Sequence, residues 1–114
     1  MNERIRAVNE LIKEHVSEII YSEISPLNGF LTCLAVETSR DLRQAKIWLS
    51  YIGEEAAREN VFLELEEKRQ LIQNRLNKIL CLKHVPRIEF FLDQSGQYAA
   101  GLEKKYRELK DRNK

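Results

Sequence analysis

Six basic side chains occur between positions 68 and 88 of this sequence, and no acidic residue lies among them. Clustered ammonium and guanidinium groups attract phosphate, so the segment is a candidate for binding an anionic polymer. A solvated helix face can carry such a run without binding anything, and salt bridges to the acidic residues before it could neutralise it. The six cations are Lys68, Arg69, Arg75, Lys78, Lys83 and Arg87.

The residues just before these cations have the opposite charge. From Glu54 to Glu67 the chain has six glutamates and one arginine. The 114 residues together have a formal net charge of +1, so the charges are segregated although their sum is small. Net charge alone neither favours nor excludes a nucleic-acid partner, and only the distribution of charge is informative.

A second candidate group lies on a predicted strand, 44–52, in which apolar residues alternate with polar ones from 44 to 51. Lys46 and Trp48 share the polar, outward face of this strand, and Arg43 comes just before it. An exposed aromatic ring beside a cation can stack on a nucleotide base. The ring could equally be covered by the helix predicted at the carboxyl end of the chain, and the sequence does not decide between the two.

Residues that could catalyse a reaction are sparse. The sequence has no GxSxG, no phosphate-binding glycine loop and no HExxH. Cys81 and His84 have the spacing C-x-x-H, but no second pair completes a tetrahedral zinc site. We therefore expect a protein that is not an enzyme and that binds no metal or cofactor.

The two cysteines and the amino terminus bear on the compartment. Cys33 and Cys81 lie far apart in the sequence, which argues against a disulfide framework. The amino terminus is charged from its third residue and has no signal-peptide core. No apolar run reaches the roughly 20 residues that span a membrane. We expect a monomeric cytoplasmic protein that does not contact membranes.

The elements that must position the candidate residues follow from hydrophobic periodicity. An amphipathic helix over 5–24 precedes two strands, 30–39 and 44–52, which the short link Arg40–Arg43 makes antiparallel neighbours. A helical stretch over 54–82 leads to a third strand, 87–93, and Ser95 can cap a final helix. The order α-β-β-α-α-β-α predicts an α+β fold with a three-stranded sheet covered by helices on one face.

The apolar stripe of the 54–82 stretch is interrupted for one turn by Lys68 and Arg69. Burying unpaired charges is costly, so the chain should bend there, or both side chains should extend past the edge of the core. In either case they would emerge at a surface that can contact phosphate. Replacing both by alanine is then expected to leave the fold intact or to stabilise it slightly. The stripe consists of Val61, Leu65, Ile72, Leu76 and Ile79.

The element order resembles a type II KH domain. Three segments narrow this resemblance: RIRAVNELIKEHVSEII (4–20), GFLTCLAVETSRDLRQAKIWLSYIG (29–53) and VPRIEFFLDQS (85–95). The second of them contains Val36-Glu37, Ser39, Asp41-Leu42-Arg43 and Ala45-Lys46. In these segments, and in the order and spacing of these residues, the chain resembles the bacterial ribosome-binding factor A family. The resemblance covers nearly the whole chain.

The resemblance implies a single KH-like domain over 1–110, followed by a frayed polar tail at 111–114. It further implies a factor that binds the free small (30S) ribosomal subunit and assists late maturation and 16S rRNA 5′-end processing, with a link to cold adaptation. The alternative is a protein-interaction module that acts on a ribosomal protein or an assembly GTPase without touching RNA. The expected RNA-binding residues are Arg43, Lys46, Lys68, Arg69, Arg75, Lys78, Lys83 and Arg87.

One stretch departs from the family's pattern. A KH domain that binds RNA has a glycine-rich loop between its two central helices, because bare backbone must approach the sugar-phosphate chain. The family resembles a variant in which that loop is a helix kink with small residues. Here those positions are Lys68, Arg69 and Gln70, so the resemblance does not support the usual four-nucleotide clamp.

Overall fold

Five elements make up the structure, a computed structural model that describes residues 3–24 and 29–93. The predicted α+β class is confirmed: three strands form one sheet, and two helices pack on one face of it. The predicted final helix and the tail at 111–114 lie outside the described residues. The elements are α1 (Glu3–Glu23), β1 (Gly29–Thr38), β2 (Gln44–Gly53), α2 (Glu55–Ile79) and β3 (Arg87–Leu92).

β2 is the central strand of the sheet, whose order is β1-β2-β3. β1 pairs with it antiparallel, with Gly29 opposite Gly53, as the short link predicts. β3 pairs with it parallel, with Phe90 opposite Ile47. A parallel neighbour needs a crossover connection, and α2 provides it. The inward side chains of β2 are buried as the alternation predicts; they are Ala45, Ile47, Leu49 and Tyr51.

α1 buries the face that its periodicity predicts. Ile12 and Val16 are fully buried, and Ile19 is 1% exposed. The buried side chain of Asn9 is the polar exception on this face, and its Oδ1 accepts a hydrogen bond from the backbone N–H of Thr38 at 2.9 Å. This bond satisfies a buried polar group and fixes α1 against the end of β1.

α2 corrects two details of the sequence prediction. It is one continuous helix from Glu55 to Ile79, so the two central helices of the predicted order are joined, and it ends three residues before the predicted boundary. Ile79, assigned to the apolar stripe, is 40% exposed, whereas Leu80 beyond the helix end is 5% exposed. The helix ends at Ile79, and the next residue, Leu80, has an extended backbone and a buried side chain, so Leu80 takes the place of Ile79 in the core.

Because α2 is one continuous helix, the acidic and basic segments of the sequence lie towards opposite ends of the molecule. The first, acidic half of α2 lies near the end of β2. Its second, basic half lies near the start of β2. The strand β3 then begins at Arg87, opposite Gln44. We use "basic end" for this part of the molecule, defined by the exposed side chains of Arg43, Lys46, Lys78, Lys83 and Arg87.

Candidate nucleic-acid interface

Lys68 is held at the edge of the core by two hydrogen bonds. Its Nζ donates a hydrogen bond to the backbone carbonyl of Glu23 at 2.6 Å and another to Oε1 of Glu64 at 3.2 Å. α2 is not interrupted here, so the side chain extends past the edge of the core instead of bending the helix. The expectation that alanine would be harmless at position 68 therefore does not fit the structure, because alanine would remove both bonds.

Arg75 reaches the same place from further along α2. One of its terminal nitrogens, Nη1, donates to Oε1 of Glu23 at 2.7 Å and to Oγ of Ser22 at 2.8 Å. Two cations thus converge on Glu23, the last residue of α1. Positive charge is favourable at a helix C-terminus, where the carbonyl groups lack intrahelical partners. Lys68 and Arg75 therefore join the two helices.

Arg69, the other cation in the gap of the stripe, is half-buried and points elsewhere. It lines a shallow cavity between α2 and β3, together with Arg87 and two glutamates, Glu66 and Glu89. Two positive and two negative side chains surround this cavity, so its walls carry little net charge. Lys68 and Arg69 are adjacent in sequence but serve different surfaces.

The other five predicted cations are exposed and form the basic end. Arg43 and Arg87 are connected through their backbones, since the N–H of Arg87 donates to the carbonyl of Arg43 at 2.8 Å. Lys46 lies on the outward face of the sheet, with Nζ 5.7 Å from the centre of the Phe91 ring. Lys78 is in the last turn of α2, and Lys83 follows in the loop to β3.

Trp48 has an aromatic partner that the sequence analysis did not identify. Its ring stacks on that of Phe91, with centroids 5.1 Å apart and an angle of 27° between the planes. Register explains the contact, because Phe91 is directly opposite Trp48 in the parallel pairing of β2 and β3. One face of the indole is therefore occupied by this contact. The predicted helix that could cover the other face lies outside the described residues.

A cavity of about 590 Å³ opens at the basic end, where α1, the β1–β2 turn and the α2–β3 loop meet. Sequence reasoning selected Arg43 and Lys83 of its walls but missed Arg4, because nothing local connects the start of α1 with these distant parts of the chain. The cavity is lined by Arg4, Val8, Asp41, Leu42, Arg43, Leu82, Lys83, His84, Val85 and Pro86.

The β1–β2 turn beside this cavity is fixed by side-chain hydrogen bonds. Oδ1 of Asp41 accepts from Oγ of Ser39 at 2.7 Å and from the N–H of Arg43 at 3.2 Å. The Ser39 hydroxyl, followed by the Arg43 N–H, lowers the pKa of the Asp41 carboxyl below its usual range. Leu42 has φ 60°, in the left-handed region that a leucine rarely adopts, and its side chain packs against the core. These bonds and this packing hold a strained backbone in place.

The cysteines and histidines show no further site in the described part of the chain. Cys33 is buried and Cys81 exposed, and both are free thiols. Within residues 3–24 and 29–93, no three potential ligands among His, Cys, Asp and Glu come together in a way that could hold a metal ion. Over the same residues, neither helix is long and apolar enough to cross a membrane.

Comparison with known proteins identifies the family. The sequence model described as ribosome-binding factor A matches residues 4–106. The chain belongs to the ribosome-binding factor A family. Its relative in Staphylococcus epidermidis is 31% identical over 114 residues, which cover 99% of this chain and 98% of that protein. The relative in Natranaerobius thermophilus is 32% identical over 107 residues, which cover 93% and 82%.

Solved structures of ribosome-binding factor A share the fold. The crystal structure of the Thermus thermophilus protein matches with a TM-score of 0.66 at 22% identity, over 77% of this chain and 94% of that one. Coordinates of the Thermus thermophilus factor fitted into a cryo-EM map of a 30S complex match with a TM-score of 0.63 at 23% identity, over 73% and 88%.

The family's motif is concentrated at one place in this fold. Glu37 lies opposite Lys46 near the end of the β1–β2 ladder, and the motif residues Ser39, Asp41 and Arg43 build the turn beyond it. In this member of the ribosome-binding factor A family, the motif thus shapes a wall of the cavity at the basic end. Residues 68–70, where the sequence indicated either a bend or side chains that pass the edge of the core, are helical without interruption.

Proposed function

We propose that this protein is a ribosome assembly factor that binds the free 30S subunit through its 16S rRNA. The observation that carries the proposal is the family match over residues 4–106. A related factor fitted into a map of a 30S complex supports the choice of partner. On this proposal the protein assists late maturation, including 5′-end processing of 16S rRNA. It acts in the cytoplasm as a single KH-like domain over 1–110, with no catalytic step and no cofactor, and its loss is felt most in the cold.

The positions of the eight predicted cations support two different roles, contact with RNA for some and contacts within the protein for the others. The five exposed side chains of the basic end are available to contact phosphate. Lys68 and Arg75 are engaged by Glu23 and hold the two helices together. Arg69 is half-buried beside Glu66 and Glu89, whereas Arg87, which lines the same cavity, is exposed. The acidic half of α2, at the other end of the molecule, would be repelled by RNA. The basic end therefore approaches the subunit first.

Sedimentation with purified free 30S subunits over a range of salt concentrations tests the proposal. If the five exposed cations neutralise about five phosphates, the logarithm of the binding constant should fall against the logarithm of salt with a slope of about −3.5 to −4.5. Assembled 70S ribosomes, measured in parallel, should bind the protein more weakly. A salt-independent affinity would instead favour the protein-interaction alternative, with a ribosomal protein or an assembly GTPase as partner.

A charge-matched pair of variants makes the test specific. Lys46→Gln with Arg87→Gln removes two cations of the basic end and should weaken 30S binding by about tenfold or more, since each phosphate contact contributes to affinity. Arg6→Gln with Lys13→Gln removes two positive charges from α1, at side chains that belong neither to the basic end nor to the lining of its cavity. Equal losses in the two variants would mean that only overall charge matters.

The role in rRNA processing has its own test in cells. Deleting the gene should cause 16S precursors with an unprocessed 5′ end to accumulate, most strongly at low temperature, as measured by primer extension. Normal 5′ ends in the deletion strain at every temperature would refute the processing role while leaving 30S binding untouched.

A further inference from the structure

The cavity at the basic end combines two kinds of wall. Three cationic side chains come to it from three different parts of the chain: Arg4 from α1, Arg43 from the β1–β2 turn and Lys83 from the α2–β3 loop. Its acidic lining residue is Asp41, whose Oδ1 is engaged by Ser39 and by the backbone of Arg43 and whose Oδ2 lies 4.0 Å from Nε of Arg43, a side chain that is still 84% exposed. Positive charge therefore predominates at the rim.

The rest of the lining is largely apolar. Val8 is 8% exposed and Pro86 is fully buried, so these two close the floor of the cavity against the hydrophobic core but offer little surface to a ligand. Leu42, Leu82 and Val85, which are partly buried against the same core, complete the apolar wall. The volume of about 590 Å³ falls within the roughly 300–1,000 Å³ of pockets that enclose small organic ligands.

An apolar wall beneath a cationic rim matches the two halves of a nucleotide. A base is a flat ring that gains from leaving water, and its phosphate is an anion that arginine and lysine bind with charge-assisted hydrogen bonds. A base inside a duplex is stacked on both faces and cannot enter a cavity unless it is first extruded. The walls therefore select an unpaired nucleotide over a helical one.

The part of the rim that carries Arg43 is preorganised by hydrogen bonds within the protein. The turn that carries Arg43 is fixed by the hydrogen bonds of Asp41, and its far end is tied to β3 by the bond from the Arg87 N–H to the Arg43 carbonyl. The left-handed Leu42 sends its side chain into the apolar wall instead of into solvent. A preorganised site loses less entropy when it binds a ligand.

We propose that this cavity binds one unpaired nucleotide of RNA, with the base against the apolar wall of Leu42, Leu82 and Val85 and the adjacent phosphate held by Arg43 and Lys83. The inference rests on the proposed function, because the RNA it would take is rRNA of the small subunit. It adds that the protein reads a single-stranded position there instead of contacting only duplex backbone.

Methyl NMR on the full chain tests the site with four probes: inorganic phosphate, adenosine 5′-monophosphate, a single-stranded hexaribonucleotide and an RNA hairpin stem. A base against this wall should shift the methyl signals of Leu42, Leu82 and Val85 through its ring current. The hexanucleotide and the mononucleotide should both produce these shifts. Phosphate and the hairpin stem should not, because neither places a ring in the cavity.

A matched pair of variants assigns the phosphate contacts. Arg43→Gln with Lys83→Gln should weaken hexanucleotide binding by about tenfold or more, and Arg6→Gln with Lys13→Gln by no more than about twofold. Thermal melts of all variants verify that the fold is kept. Methyl shifts that are absent with the hexanucleotide, or equal with the hairpin stem, would overturn the proposal. So would shifts with the mononucleotide alone, which would indicate a site for free nucleotides.

Sedimentation with 30S subunits separates this inference from the function it rests on. A wild-type protein that binds 30S but shows none of the methyl shifts would refute the nucleotide site and leave the assembly role standing. A wild-type protein that fails to bind 30S would refute the assembly role itself, whatever the methyl signals do.

Discussion

Nζ of Lys68, in the middle of α2, lies 2.6 Å from the backbone carbonyl oxygen of Glu23 at the end of α1. The bond joins residues 45 positions apart and satisfies a carbonyl that has no partner within its own helix. The turn at which the apolar stripe is interrupted is therefore a contact between helices, made by a lysine whose stem passes the edge of the core.

Lys68→Met should lower the free energy of unfolding by about 1–2 kcal/mol, because it keeps the apolar stem but removes a charge-assisted hydrogen bond. The side chain is 37% exposed, so water compensates part of the loss. Urea denaturation measures the change. Lys78→Met, on the exposed face of the same helix, is the control and should change stability by no more than about 0.5 kcal/mol. A Lys68→Met protein as stable as the wild type would show that the bond to Glu23 contributes nothing.

The face of α2 can be tested by truncating its core residues. Ile72→Ala and Leu76→Ala remove fully buried side chains and should each lower the free energy of unfolding by about 2–5 kcal/mol. Asn74 is exposed, and its Oδ1 accepts a hydrogen bond from Gln70 at the surface, so Asn74→Ala should cost no more than about 0.5 kcal/mol. Similar losses at positions 74 and 76 would mean that the helix presents a different face to the sheet.

The carboxyl of Asp41 should titrate below the usual range of aspartates, and Ser39→Ala should raise its pKa towards that range by removing the stronger hydrogen bond. Because the pKa is lowered in the folded state, the ionised carboxylate stabilises the turn at neutral pH. That contribution is lost as the pH falls through the lowered pKa. Carboxyl-detected NMR measures both titrations, with Ser50→Ala as a control outside the turn. An unchanged pKa in Ser39→Ala would contradict the assigned cause.

The two thiols should react at very different rates. Burial raises the pKa of the Cys33 thiol, an effect that the nearby charge of Lys13 only partly offsets, so little reactive thiolate forms. Cys81 is exposed beyond the end of α2. Under native conditions a chromogenic disulfide reagent should label Cys81 quickly and reach Cys33 only when the protein unfolds. Mass spectrometry of the labelled peptides identifies the site. Rapid labelling of Cys33 in the native protein would show that the core opens at β1.

The sequence by itself was sufficient to predict the features that depend on residues close together in the chain, namely the strands, their buried faces and the hairpin. The alternation of Ala45, Ile47 and Leu49 predicted both a strand and its buried face, and the short link before it predicted an antiparallel hairpin. These patterns are local, because the strand and helix periods are about two and 3.6 residues. The family motif could likewise be recognised from the order and spacing of its residues. Their order did not reveal that they form a strained turn.

Only the tertiary structure decided which distant residues meet. Lys68 and Arg69 look equivalent in the sequence, yet the first binds the end of α1 and the second lines a cavity beside β3. Phe91 became the partner of Trp48 because β3 lies parallel to β2 in one particular register. The cavity at the basic end likewise combines residues near positions 4, 43 and 83. Contacts of this kind depend on how the elements pack, which hydrophobic periodicity constrains but does not specify, because many pairings bury the same apolar faces.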